Sequence, residues 1–151
     1  MTDADARRTT FSFAAPVDNS DAWNLHLDDF ANRLLQAFSG SSAMHEGETG
    51  SRPFDAVSFE IPLNGGAWLR GLVTAPHPKV GAVMALTASA AEAAVLAHWI
   101  RDFYAPSPDL VCFTSELALD QGATDYDRLP PSADTQAIAR VLQAHIDTWD
   151  G

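Results

Sequence analysis

The sequence has no long apolar run, only one cysteine and no recognisable catalytic motif. Without an apolar run of about 18 residues there is no membrane-spanning helix to predict, and the N-terminal segment MTDADARRTT lacks the apolar core of a secretory signal. The single cysteine, Cys112, excludes an internal disulfide bond, which is typical of proteins from a reducing compartment. Its apolar neighbours predict a buried thiol without a chemical role. We therefore expect a cytoplasmic protein.

Basic residues are scarce: the chain has nine of them and 20 acidic residues, which gives a formal net charge of −11. This charge disfavours binding to nucleic acids or anionic membranes, since phosphate contacts require clustered lysine and arginine. It would instead speed association with a basic protein partner. A simpler explanation, which the sequence leaves open, is that the surplus carboxylates keep a small protein soluble.

Length and apolar periodicity indicate one folded domain. A chain of 151 residues can bury roughly two-thirds of its unfolded surface in a single core. The polar residues 1–19 are predicted to form a flexible N-terminal arm, in which the short apolar patch Phe11-Ser12-Phe13 offers two phenylalanines that can dock on the rest of the protein. This leaves 20–151 as a single domain. Apolar residues at three- and four-residue spacing predict an amphipathic helix, with Ser20 and Gly40 as its caps. A flexible loop rich in glycine and serine, up to Arg52, is expected after it.

A meander of three strands is the predicted centre of the domain. Two strands in the range 57–75 are joined by the hairpin signal Asn64-Gly65-Gly66, and a third strand follows at 80–86. The middle strand is partly apolar on both faces, with Trp68 and Leu72 on one of them. One face of the sheet therefore needs a cover that the predicted helices do not all provide.

The second half of the chain predicts two helices around one more strand. A capping box formed by Ser89 and Glu92 starts a helix that runs to about Tyr104. The apolar segment 109–119 is predicted as a strand, bent or split near its middle and followed by a solvated acidic loop. Ser132 is the predicted N-cap of the last helix. The order α-β-β-β-α-β(-β)-α, with helices on one face of an antiparallel sheet, is that of a two-layer α+β sandwich.

No group of residues has the spacing that catalysis or metal binding requires. His45, Glu46 and Glu48 lie close together, but a loop of this composition does not hold them rigidly enough for a metal site. His98 and His145 fall on apolar helix stripes, where we expect them to be packed. Three candidate catalytic acids are interpreted as solvated carboxylates: Glu60, Glu116 and Asp120. The sequence contains no recognisable combination of a nucleophile, a base and an orienting group. We therefore expect no catalytic residues, no metal, no cofactor and no enzymatic activity.

Five stretches of the chain carry a resemblance to a known family. They are WNLHLDDFANRLLQAFSG, the meander, AAEAAVLAHWIRDFYA, LVCFTSELAL and TQAIARVLQAHIDTW. Their order, together with the size and acidity of the chain, resembles the class I chaperones of bacterial type III secretion over residues 20–150. The resemblance lies in this pattern and includes no signature motif. It implies a cytoplasmic homodimer without catalytic residues that holds an extended segment of a secreted effector on apolar patches.

The resemblance and the two-faced meander together indicate contact residues. Those expected to bind the partner lie on the first helix and the early strands: Leu27, Phe30, Val57, Phe59, Ile61, Trp68, Arg70 and Leu72. The central helix has a wide apolar arc, one side of which can face a second subunit. Its residues Val95, Trp99 and Phe103 are the predicted dimer interface.

The leading hypothesis is thus a non-enzymatic protein-binding module, a cytoplasmic secretion chaperone. The alternative is an acidic immunity protein or antitoxin that neutralises a basic toxin through complementary charge. The sequence also leaves open a structural subunit of a larger assembly and an enzyme of unknown type.

Overall fold

The computed structural model describes residues 7–46, 56–77 and 80–150 of the chain. Their strands are Thr9–Ala14 (β1), Ser42–Glu46 (β2), Ala56–Pro62 (β3), Trp68–His77 (β4), Val80–Ala88 (β5), Cys112–Ser115 (β6) and Asp127–Arg128 (β7). Their α-helices are Leu27–Ala37 (α1), Ala90–Trp99 (α2), Glu116–Asp120 (α3) and Thr135–Trp149 (α4), and α2 continues as a π-helical turn, Ile100–Tyr104. All strands form one antiparallel sheet in the order β2-β3-β4-β5-β1-β6-β7. The predicted α+β class is confirmed.

Strand β1 lies inside the sheet, between β5 and β6. Phe11 and Phe13 are fully buried, whereas the alternate residues Thr10 and Ser12 are only half-buried, which is the two-residue period of a strand. The prediction of a flexible arm for residues 1–19 is therefore wrong for this segment, and residues 1–6 lie outside the described ranges. The segment has only two large apolar residues, Phe11 and Phe13, which is too few to predict a strand from periodicity. Its hydrogen-bond partners come from distant parts of the chain.

Helix α1 begins at Leu27, later than the predicted start at Ser20. The residues before it are held by tertiary contacts: Trp23 and Leu25 are buried, and the Trp23 Nε1 donates a hydrogen bond to the Leu110 carbonyl at 2.6 Å. Burying an indole ring with its N–H satisfied outweighs the local preference for an earlier helix start. After α1, the predicted loop contains strand β2, while its later part, from residue 47, lies outside the described ranges.

The predicted meander is confirmed as β3, β4 and β5. The turn between β3 and β4 uses Gly65 and Gly66 at φ of 81° and 84°, a backbone conformation that residues with a Cβ rarely adopt. Within the hairpin, Phe59 pairs with Gly71. A Cβ built on Gly71 would stand 2.1 Å from the Phe59 ring, so the ring occupies the space that the missing side chain leaves.

The second half of the chain matches the prediction in part. The capping box is present, with Glu92 N donating to Ser89 Oγ at 3.2 Å and Ser89 N donating to Glu92 Oε1 at 3.0 Å. The predicted strand 109–119 is half right, because β6 ends at Ser115 and helix α3 follows at once. The expected solvated loop contributes the short strand β7, and the N-cap of α4 is Asp134 instead of Ser132.

Helices α1, α2 and α4 cover one face of the sheet, where the core lies. From α1, Phe30 packs on Phe59 of β3 with ring centroids 6.0 Å apart. From α4, His145 packs edge-on against Phe113 of β6 at 5.2 Å. Helix α2 is buried along most of its length because small residues such as Ala93 let it approach its neighbours closely. These contacts leave the opposite face of the sheet without a helix among the described residues.

Candidate functional site

The two faces of the central strands differ sharply in exposure. On β4, Leu69 and Val73 point into the core, whereas Trp68 remains 54% exposed. The Arg70 side chain, which shares the face of Trp68, is 75% exposed. Across the sheet, Met44 of β2 is 65% exposed on the same side. We call this side, away from the helices, the open face.

A groove of about 870 Å³ crosses the open face. It follows a row of laterally paired residues in which Ser42 pairs with Glu60, Glu60 with Arg70, and Arg70 with Leu86. Its lining extends to Thr10 of β1, so it spans five strands. At about 4.8 Å between neighbouring strands, this gives a length of about 19 Å. We call this feature the cross-strand groove; its half-exposed side chains make it a surface channel and not an enclosed cavity.

The cross-strand groove combines apolar side chains with two ion pairs. At its middle, Arg70 Nε lies 3.6 Å from Glu60 Oε2. At one end, Arg8 forms a two-pronged ion pair with Glu92, whose second contact, from Arg8 Nη2 to Glu92 Oε2, is 3.1 Å long. Partial burial raises the pKa of Glu92, but the hydrogen bonds from Arg8 and Ser89 outweigh it and bring the pKa below its ordinary value. Both carboxylates of the groove are thus paired with arginine, in a protein that is acidic overall.

Backbone strain marks the same end of the groove. Thr87, one of the lining residues, has a φ of 47°, which is unusual for a β-branched residue. Its N–H donates to Thr10 Oγ1 at 3.1 Å, beside an irregularity in the pairing of β1 with β5. Strain of this kind is found preferentially at functional sites. It therefore adds to the reasons for treating the groove as the candidate site.

The predicted partner-binding residues divide between the two faces. Phe30, Val57, Phe59 and Ile61 are buried in the core and offer no surface to a partner; the others are half-buried or exposed: Leu27, Leu72, Trp68 and Arg70. Of the whole set, Phe59, Trp68 and Arg70 line the cross-strand groove, and only the last two present exposed side chains to it. Arg8, Met44 and Leu86 are among the lining residues that the sequence prediction missed. Arg8 and Met44 belong to segments that were not recognised as part of the sheet.

The predicted dimer residues also differ in exposure. Trp99 is 7% exposed and packs against the rings of Phe30 and Phe38, with centroids 5.5 and 5.7 Å away. It is therefore a core residue of the protomer, and Val95 is half-buried. Phe103 is 62% exposed on the π-helical turn and is the member of the set that a second subunit could contact.

A second cluster, which sequence reasoning missed, joins Ser115, His145 and Asp127. Ser115 Oγ lies 2.8 Å from His145 Nε2, and His145 Nδ1 lies 3.3 Å from Asp127 Oδ2. This is the connectivity of a nucleophile, a base and an orienting acid. The three residues come from β6, α4 and β7, so no local spacing in the sequence could reveal them.

The surroundings of this cluster do not suit catalysis. Ser115 is fully buried, its backbone is in relaxed extended geometry, and its Oγ accepts the capping hydrogen bond from Ala118 N at 3.1 Å. A nucleophile must reach a substrate, and a hydroxyl with no exposed surface cannot do so. We interpret the cluster as a structural link that attaches α4 to the start of α3 and satisfies two buried polar side chains.

Neither a metal-binding cluster among the described residues nor a similarity to a known protein identifies a function. Within the described ranges, no three histidine, cysteine or acidic side chains are placed to hold a metal ion. In the same ranges, no helix has both the length and the apolar character needed to cross a membrane. Comparison with protein-family models, curated proteins and solved structures found no match to the chain. The resemblance to secretion chaperones therefore stays a prediction, and function has to be argued from the groove.

Proposed function

We propose that this chain is a non-enzymatic protein-binding module that covers an apolar segment of a protein partner with its cross-strand groove. Following the resemblance to type III secretion chaperones, the partner is a secreted effector that is held in the cytoplasm before export. A homodimer in contact through Phe103 and Val95 would present two such grooves. No chemistry on the partner is required, because the role of the module is to cover and release a segment.

This proposal rests on the apolar side chains of a sheet face that no helix of the described ranges covers. Antiparallel sheets commonly bury one face and expose the other, and the exposed face is then polar. Here the open face carries Trp68, Met44 and Leu86 around the groove, and the first two are more than half exposed. Large exposed side chains of this kind, grouped and bordered by polar residues, are typical of protein-binding surfaces.

The acidity of the chain supports a second candidate, an immunity protein or antitoxin. A net charge of −11 would draw in a basic toxin and raise the association rate. The two candidates predict different salt dependence. Charge-driven association weakens steeply as salt rises, whereas burial of apolar surface in the groove is affected little.

The test uses a groove variant and a matched control in the native host. Trp68→Asp places a charge in the groove, and Leu119→Asp does so at a similarly exposed residue of α3, where the side chain is 49% exposed. We expect one partner to co-purify with wild type and Leu119→Asp and to be lost from Trp68→Asp. Its dissociation constant should rise less than about tenfold between 50 and 500 mM salt, whereas a complex held mainly by charge should weaken by more than about 100-fold.

A partner retained by Trp68→Asp would contradict the groove as the binding site. If that partner were also basic and bound with steep salt dependence, the immunity role would replace the chaperone role. Circular dichroism spectra of all three proteins would confirm that each is folded before binding is compared.

A further inference from the structure

We infer that the cross-strand groove takes its partner segment as an amphipathic α-helix of about three to four turns, and not as an extended chain. This inference rests on the proposed function, because it specifies the conformation and chemistry of the bound segment. It departs from the extended segment that the resemblance to secretion chaperones implies. Three features of the groove support it: its saturated backbone, its length and its charges.

Four of the five strands under the groove have no main-chain groups to offer a ligand, and the exception is β2, which lies at the edge of the described sheet. Strands β3, β4, β5 and β1 each have a neighbour on both sides, so their N–H and carbonyl groups are used within the sheet. Among the lining hydroxyls, Thr10 Oγ1 already accepts from Thr87 N, and Ser58 Oγ donates to the Met44 carbonyl at 3.4 Å. An extended segment lying across the strands would bury main-chain groups without partners, which weakens binding. A helix satisfies these groups internally and can present side chains alone.

The dimensions of the groove fit a short helix. Five strands give a channel of about 19 Å, which corresponds to about 13 residues at a rise of 1.5 Å per residue. Three to four turns present an apolar stripe at three- and four-residue spacing. That stripe would lie between Met44 and Trp68, which flank the row of paired residues on opposite sides, and would reach Leu86, which belongs to the row.

The charges indicate which helix is preferred. Glu60 and Glu92 line the groove but are paired with Arg70 and Arg8, so the preference for a charge comes from the protein around the groove and not from its lining. The remainder of the protein is strongly acidic, with a net charge of −11. A helix with lysine or arginine beside its apolar stripe is therefore complementary, whereas an acidic helix is repelled.

Two phage-displayed libraries of 14-residue peptides test the conformation. Both carry apolar residues, varied among leucine, isoleucine, phenylalanine and methionine, at three- and four-residue spacing, with lysine and alanine elsewhere. The second library has proline in place of two central alanines, which prevents a continuous helix while keeping nearly the same composition. Each library is selected on the wild-type protein and counter-selected on Trp68→Asp, with Leu119→Asp as the matched folded control.

We expect groove-dependent binders from the helical library only. Placing proline in the centre of such a binder should weaken it roughly 100-fold, the loss that a broken helix implies. The free peptide should gain helical circular dichroism on binding, and replacing its lysines with glutamate should weaken it at least about tenfold.

The other outcomes separate the inference from the proposed function. If the proline library yields groove-dependent binders of equal or higher affinity, the helical inference is overturned while a protein-binding groove remains. If neither library yields binders that Trp68→Asp loses, both the inference and the groove as a peptide-binding site are overturned.

Discussion

The two faces of the hairpin formed by β3 and β4 come from one alternating sequence but have different roles. Toward the helices, Phe59 and Leu69 are buried, and the Phe59 ring lies over Gly71. Toward the open side, Glu60 pairs with Arg70, and Trp68 remains half exposed. Apolar residues on the first face are explained by the core they form. Apolar residues on the second face have no such explanation within the described ranges, and they are the basis of the proposed binding to a partner.

Hydrophobicity alone therefore does not separate core residues from residues of the candidate site. Phe59 and Trp68 are both aromatic strand residues, and both were predicted to bind a partner. Successive side chains of a strand point to opposite faces of the sheet, and the helices cover only one of these faces. This places Phe59 in the core and Trp68 in the groove.

Phe59→Ala should lower the free energy of unfolding by about 3–5 kcal/mol, because it opens a cavity in the core. Trp68→Ala, on the neighbouring strand, should lower it by less than about 1 kcal/mol, because the side chain is already half exposed. Urea unfolding followed by circular dichroism measures both. Trp68→Ala should instead weaken partner binding. Equal losses of stability for the two variants would mean that the open face is structural and is covered in the folded protein.

Ser115→Ala tests the polar cluster beneath α4. The variant removes the cap of α3 and leaves the buried His145 ring nitrogen without its partner, so we expect a loss of about 2–3 kcal/mol in the free energy of unfolding. Ser132→Ala, at an exposed serine, is the matched control and should change little. A fluorophosphonate probe should leave native wild-type protein unlabelled, because Ser115 has no exposed surface. Labelling at Ser115 would overturn the structural interpretation and restore the possibility of hydrolase activity.

Sequence reasoning succeeded where local signals are sufficient. The hairpin at Asn64-Gly65-Gly66 and the capping box of Ser89 and Glu92 depend on residues close in the chain, and both were predicted correctly. Strands β1 and β2 were missed because they are short and are stabilised by pairing with distant segments. The pairing of Phe13 with Val83 and with Phe113 is an example, since no local period in the sequence encodes it.

The contrast between local signals and long-range pairing also explains which residues of the candidate site were predicted. Trp68 and Arg70 were assigned to one face from the two-residue period of their strand, and they do lie together on the open face. Arg8 and Met44 could not be added, because their place in the groove depends on strand order and not on spacing. Ser115 and His145, 30 residues apart, come into contact only once α4 is packed on the sheet.

The ion pair between Arg8 and Glu92 joins the open face to α2 and should contribute only slightly to stability. Glu92→Gln keeps a side chain that can serve in the capping box but removes its ion pair with Arg8. Because the folded-state pKa of Glu92 is lowered, its charge stabilises the fold above the unfolded-state pKa of about 4.3, and this contribution is lost as the pH falls through the folded-state value. We expect wild type to be more stable than Glu92→Gln by about 0.5–1 kcal/mol at pH 7, since Arg8 is partly exposed, and the difference should shrink below about pH 4. Arg8→Gln should behave alike, and the double variant should lose no more than either single one. A difference that persisted unchanged at pH 3 would show that the carboxylate charge is not its source.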